Sequence, residues 1–145
     1  MKITSSAFNH NEKIPSKYTC DGENISPPLI FSEIPKNART LALIMDDPDA
    51  PVGIFVHWVV WNIPASTTKI KEGEKGVYKQ GSNDFRKQVY GGPCPPSGTH
   101  RYFFKLYALD TELNLKEGAT KEELLKSMKN HILAGAELMG DYSRS

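Results

Sequence analysis

The chain has 145 residues, 39% of them hydrophobic and 24% charged, and 18 basic against 17 acidic side chains leave a formal charge of +1. That length fits one domain with a sizeable core, so residues 1–145 are read as a single unit. Near-neutral charge gives no electrostatic footprint for nucleic acid, and no window approaches the roughly 18 apolar residues of a membrane span, so neither nucleic-acid binding nor stable membrane insertion is expected.

The opening, Met1 to Phe8, lacks the continuous apolar core of a signal peptide, which makes the cytoplasm the default location. Cys20 and Cys94 are too few for a disulfide framework and too far apart in sequence for a structural zinc pair. They read as two free thiols, with a single bridge left open.

Ten prolines and eleven glycines cut the chain into short segments, a spacing that favours many strands over long helices. Lys2 to Phe8 reads as a short edge strand, and the loop from Ile14 to Leu29 is too rich in turn formers for regular structure. Ile30 to Ile34 reads as a second strand. Thr40 to Met45 is a nearly continuous apolar run, and Val56 to Ile63 is rich in β-branched and aromatic residues. The turn between these two is short enough for them to be central neighbours.

Pro64 to Gly92 is polar, with a solvated stretch at Lys69 to Gly76 and a turn at Gly81 to Phe85. Tyr102 to Leu109 is the last strong strand. Thr120 and Glu123 then form a capping box, and Leu124, Leu125, Met128 and Ile132 share a helical face, so the carboxy-terminal segment is expected to be an amphipathic helix on the sheet. His131 reads as a boundary residue of that helix.

Two turns of one design stand out. Asp46-Asp47-Pro48-Asp49-Ala50-Pro51 leads into a strand with His57 near its entrance, and Gly91-Gly92-Pro93-Cys94-Pro95-Pro96 leads to His100 at the head of another. In extended backbone Asp47 and Asp49 would point together and Asp46 away. A solvated acidic turn accounts for the aspartates alone, and a core histidine with one hydrogen-bond partner accounts for His57 alone. The two units together point to one site.

Asp47, His57 and His100 have the composition of a two-histidine, one-carboxylate metal centre, but without its usual spacing. Cys94 or Ser97 near His100 could serve a nucleophilic arrangement, yet no nucleophile elbow is present. The chain is therefore read as a non-enzyme with no cofactor and no metal, and a hydrolase or metal enzyme using Asp47, His57 and His100 stays open as the last alternative. The reading that uses every unusual residue is an anion pocket. Protonated imidazoles, kept charged by a nearby aspartate, and the free amides of the Gly-Gly turn would donate to phosphate or carboxylate oxygens between rigid proline rims.

These blocks closely resemble the phosphatidylethanolamine-binding protein family, in its compact bacterial and archaeal Raf kinase inhibitor-like branch. They run from Tyr18-Thr19-Cys20-Asp21-Gly22 and Ser26-Pro27-Pro28-Leu29, through Asp47-Pro48-Asp49-Ala50-Pro51 and His57 to Pro64, to Gly91 to Pro96 and His100-Arg101-Tyr102. The resemblance implies a mainly β fold, an antiparallel sandwich with a helix and a small anion pocket near the sheet edge. It places Asp47, Pro51, His57, Gly92, His100 and Tyr102 at the pocket, with Asp49 and Pro93 as close supports. It also makes Ala50-Pro51 a candidate cis bond. A phosphate or phosphoethanolamine-like ligand, a kinase or protease as protein partner and a homodimer are further expectations of this kind.

Overall fold

In the computed structural model, which describes residues 1–144, the apolar run at Thr40 becomes a strand buried along its whole length. The strands in chain order are β1 (Lys2–Thr4), β2 (Glu12–Lys13), β3 (Leu29–Ser32), β4 (Thr40–Asp47), β5 (Phe55–Pro64), β6 (Lys69–Ile70), β7 (Lys79–Gln80), β8 (Thr99–Leu109) and β9 (Ile132–Ser143). One α-helix, α1 (Lys121–Met128), separates β8 from β9. The large sheet has the order β2-β9-β8-β4-β5-β7 and the small one β1-β3-β6. Neighbouring strands run antiparallel, except β2 beside β9. The fold is mainly β, with one α-helix among the described residues.

Burial on both faces of β4 follows from what covers it. Leu41, Leu43 and Met45 face Leu29, Phe31 and Ile70 of the small sheet across one core. Ala42 and Ile44, with Val59 and Trp61 of β5, face Leu113, Leu124 and Met128 across another, under α1 and the chain that leads to it. Period-2 alternation divides one strand between two cores, and so it reads as an unbroken apolar run. β4 and β5 pair directly, as their short connection requires.

The capping box forms as read. Thr120 Oγ1 accepts from the Glu123 amide at 3.1 Å, and Glu123 Oε1 accepts from the Thr120 amide at 3.0 Å. The helix is shorter than its sequence pattern, however. It ends at Met128, Asn130 takes a left-handed conformation (φ 70°), and Ile132 opens β9 instead of continuing the helical face. β9 pairs with β8 from Leu109↔Ile132 to Thr99↔Ser143, supplying hydrogen-bond partners that the long β8 would otherwise lack. Gly140 lets Phe8 and Ile14 close over β9, since a Cβ there would sit 2.5 Å from Ile14 and 2.7 Å from Phe8. His131 is a boundary residue, with Nδ1 2.8 Å from Asp110 Oδ1.

Cys20 and Cys94 are joined in a disulfide, with Cα atoms 5.4 Å apart, which overturns the reading of two free thiols. Disulfides are most common in oxidising compartments, so the bridge lends no support to the default cytoplasmic location. The Cys20 amide also donates to the Pro93 carbonyl, so two links hold the loop after β2 against the loop before β8. The bridge closes a sequence separation of 74 residues. On the chain-entropy account such a loop is worth on the order of 4 kcal/mol. Replacing both cysteines by serine should lower the urea midpoint and steepen the slope, because the unlinked denatured chain exposes more surface, and an unchanged midpoint would refute that account.

Candidate functional site

β4 ends in two consecutive buried carboxylates, Asp46 and Asp47, and neighbouring strand positions send them to opposite faces. Asp46 turns toward α1, where Oδ2 accepts from Lys121 Nζ at 2.8 Å and Lys105 Nζ at 3.3 Å. Asp47 turns the other way. Its Oδ2 lies 2.7 Å from His100 Nδ1, and its Oδ1 accepts the Asp49 amide at 2.7 Å, closing the turn that Pro48 begins. Asp49 then takes Arg101 in a bidentate pair, from Nε and Nη2 at 2.8 Å each, and the Arg101 amide as well. Hydrogen bonding to that guanidinium lowers the Asp49 pKa to about 2.

His57 enters from β5, 3% exposed, with its ring against Phe55, Phe85 and Tyr102 at centroid separations of 5.1, 5.3 and 5.2 Å. Its Nδ1 lies 2.6 Å from the Gly91 carbonyl, an acceptor, so the proton sits on Nδ1. Burial pushes its pKa below the ordinary histidine value. The Gly91 carbonyl, Asp47, the Gly92 carbonyl and Asp46 pull the other way without prevailing. The expectation that a nearby aspartate keeps this histidine charged is thus reversed by the apolar cage around it. Tyr102 is pushed up, by burial first and then by the charge of Asp47, which keeps its hydroxyl protonated.

Asp47, Pro51, His57, His100 and Tyr102 line one pocket of about 350 Å³ at the strand ends where β4 leaves the large sheet and β5 and β8 enter it. Its remaining walls are apolar: Ala50, Val52, Phe55, Phe85, Pro95 and Pro96, with Cys94 beside them. Asp49, Gly92 and Pro93 are not in the lining. Asp49 braces the turn through Arg101, Gly92 donates its amide to Asn24 Oδ1 at 2.8 Å, and Pro93 receives the Cys20 amide. The Gly91 amide goes to the His57 carbonyl, so neither amide of the Gly-Gly turn is free for a ligand, contrary to the sequence reading. Among the described residues no peptide bond is cis, and Ala50-Pro51 is therefore trans.

Phe55 and Phe85 are among the pocket residues that sequence reasoning missed. Phe85 is set by Asn83, a buried side chain that accepts the Phe85 and Lys87 amides and donates to the carbonyls of His57 and Val89. Gly91 leaves room for the Phe85 ring, which a Cβ at that position would strike. The turn at Gly81 to Phe85 was legible, but nothing in its spacing aimed an aromatic at His57. Phe85 also lines a second cavity of about 320 Å³, together with Trp58, Glu74 and Tyr90. Among the described residues no three His, Cys, Asp or Glu side chains are grouped to hold a metal ion, and Cys94, being bridged, offers no thiolate.

The sequence profile of the phosphatidylethanolamine-binding protein family matches residues 4–143. A UPF0098 protein of Methanothermobacter thermautotrophicus is 51% identical over 150 residues, covering 99% of both chains. The crystal structure of a phosphatidylethanolamine-binding protein homologue from Chlamydia trachomatis superposes with a TM-score of 0.97 at 45% identity, over 99% of this chain and 97% of that one. E. coli YbcL, described as a member of the mammalian family, gives 0.91 at 29% identity, over 99% and 98%. The chain belongs to the phosphatidylethanolamine-binding protein family. Among its described residues no helix is long and apolar enough to cross a membrane.

The turn geometry makes a pH-dependent prediction. Asp49 has a folded pKa below its unfolded one, so its contribution to stability is present above about pH 4 and is lost as pH falls toward 2. Arg101→Ala should return the Asp49 carboxyl toward the ordinary range, near 4, in a carbon-detected NMR titration. A midpoint that stays near 2 would show that the guanidinium is not the cause.

Proposed function

We propose that the protein is a non-enzymatic binding or regulatory protein whose pocket takes a phosphate-like or other small anionic head group. The observation that carries this reading is the convergence of His57 and His100, from separate strands, on one cavity whose other walls are almost wholly apolar. His100 has its Nδ1 engaged by Asp47 and His57 its Nδ1 by Gly91, which leaves both Nε2 atoms for a ligand. Inside such walls each hydrogen bond counts for more than it would in water. The trans prolines Pro51, Pro95 and Pro96 keep the rim ordered before binding. Family membership supports a binding role of this general kind.

A second reading, inhibition of a protease or kinase through a surface loop, draws on the turn beside the pocket, where Val52 is 94% and Ile54 58% exposed. Apolar side chains presented in this way suit contact with another protein.

Calorimetric titration of phosphoethanolamine tests the first reading. Loss of a hydrogen bond to a charged group is worth about tenfold or more in affinity, so His57→Ala and His100→Ala should each weaken binding by at least that factor. Unchanged affinity in both would sink it. For the second reading, Ile54→Ser should lower inhibition in a kinase or protease panel while phosphoethanolamine still binds. Inhibition that survives Ile54→Ser but disappears with the histidine variants would assign it to the pocket instead.

A further inference from the structure

The anion-pocket reading leaves a question about hydrogen-bond sense. The Gly91 carbonyl at 2.6 Å holds the His57 proton on Nδ1, so the neutral ring presents a lone pair at Nε2. The groups that could charge the ring are Asp47, Asp46 and the carbonyls of Gly91 and Gly92, while the aromatic cage of Phe55, Phe85 and Tyr102 opposes it and prevails. A fully deprotonated oxyanion placed against Nε2 would therefore meet an acceptor. The Gly-Gly turn offers no relief, because the amides of Gly91 and Gly92 are already committed. The carboxylate of Asp47 beside the cavity adds a charge that repels a dianion more than a monoanion.

We infer, resting on the anion-pocket reading, that this pocket selects an anion that brings its own proton: a phosphomonoester or hydrogen phosphate monoanion whose P–OH donates to His57 Nε2, with its anionic oxygens on His100 and Tyr102. His57 is then a specificity residue, discriminating by proton content more than by charge. A phosphodiester, such as an intact phospholipid head group, has no P–OH and falls on the disfavoured side. Sulfate and carboxylates do so too.

The test compares methyl phosphate, dimethyl phosphate and sulfate by calorimetry at about pH 6, where a phosphomonoester is roughly half protonated. Methyl hydrogen phosphate and dimethyl phosphate carry the same charge and differ in the proton. Sites built around a ligand hydroxyl reject analogues that lack it. Methyl phosphate should accordingly bind about tenfold or more tightly than the other two, and His57→Ala should reduce the ratio to within about threefold. Equal affinities, or a preference for dimethyl phosphate or sulfate, would overturn this inference and leave the anion pocket standing; no binding of any of the three would overturn both. A second measurement needs no variant. Nitrogen-15 NMR of the imidazoles at the same pH should show His57 protonated at Nδ1 and bare at Nε2, and either the opposite tautomer or a doubly protonated ring would overturn the inference.

Discussion

The pocket depends on two adjacent carboxylates that end a completely buried strand. An unpaired charge at such a depth destabilises a fold by several kcal/mol, so Asp46 and Asp47 must each find partners, and the alternation of strand side chains makes them look on opposite faces. Asp46 draws Lys105 from β8 and Lys121 from the first turn of α1, fixing the helix on one side of the sheet. Asp47 draws His100 from β8 on the other. One dipeptide thus registers β4, β8 and α1 together. The Asp49–Arg101 pair extends the same lock one step into the turn. The turn between β4 and β5 is held open beside His100 by charges whose positions are set in the core.

How far this was legible from sequence can be judged at particular residues. The two loop-strand units announced themselves because Asp, Pro and Gly punctuate the chain where β-branched and aromatic runs begin, and turn chemistry is local. The opposite facing of Asp46 and Asp47 also followed from strand periodicity alone. β9 did not. Ala134-Gly135-Ala136 has little strand propensity, and the apolar residues after Thr120 fit a helical period as far as Ile132. What makes the segment a strand is the open edge of β8, a tertiary demand that no local window contains. The disulfide is of the same kind, since the approach of Cys20 to Cys94 is a fact about two loops and not about their spacing.

The amides of the Gly-Gly turn show a subtler gap. Glycine reads as exposed backbone ready to meet a ligand, yet Gly91 and Gly92 are glycines for reasons of packing. Phe85 lies over one, while the Tyr18 carbonyl and the Asn24 side chain crowd the other. Their amides close the loop onto His57 and Asn24. Close approach is legible in a glycine, but its object is not.

With the amides of the Gly-Gly turn thus committed, recognition passes to side chains whose protons are positioned from behind. The Gly91 carbonyl decides which nitrogen of His57 is bare, and the Asp47 carboxylate orients the ring of His100 through its Nδ1. Neither acceptor need touch a ligand in order to set what the pocket offers it. The two histidines look alike in sequence, but they stand on unlike acceptors, a neutral carbonyl inside an aromatic cage and a carboxylate at a strand end. Two residues of one type are in this way given different chemistry by groups behind them, and an almost wholly apolar cavity gains a polar end with a definite sense of hydrogen bonding.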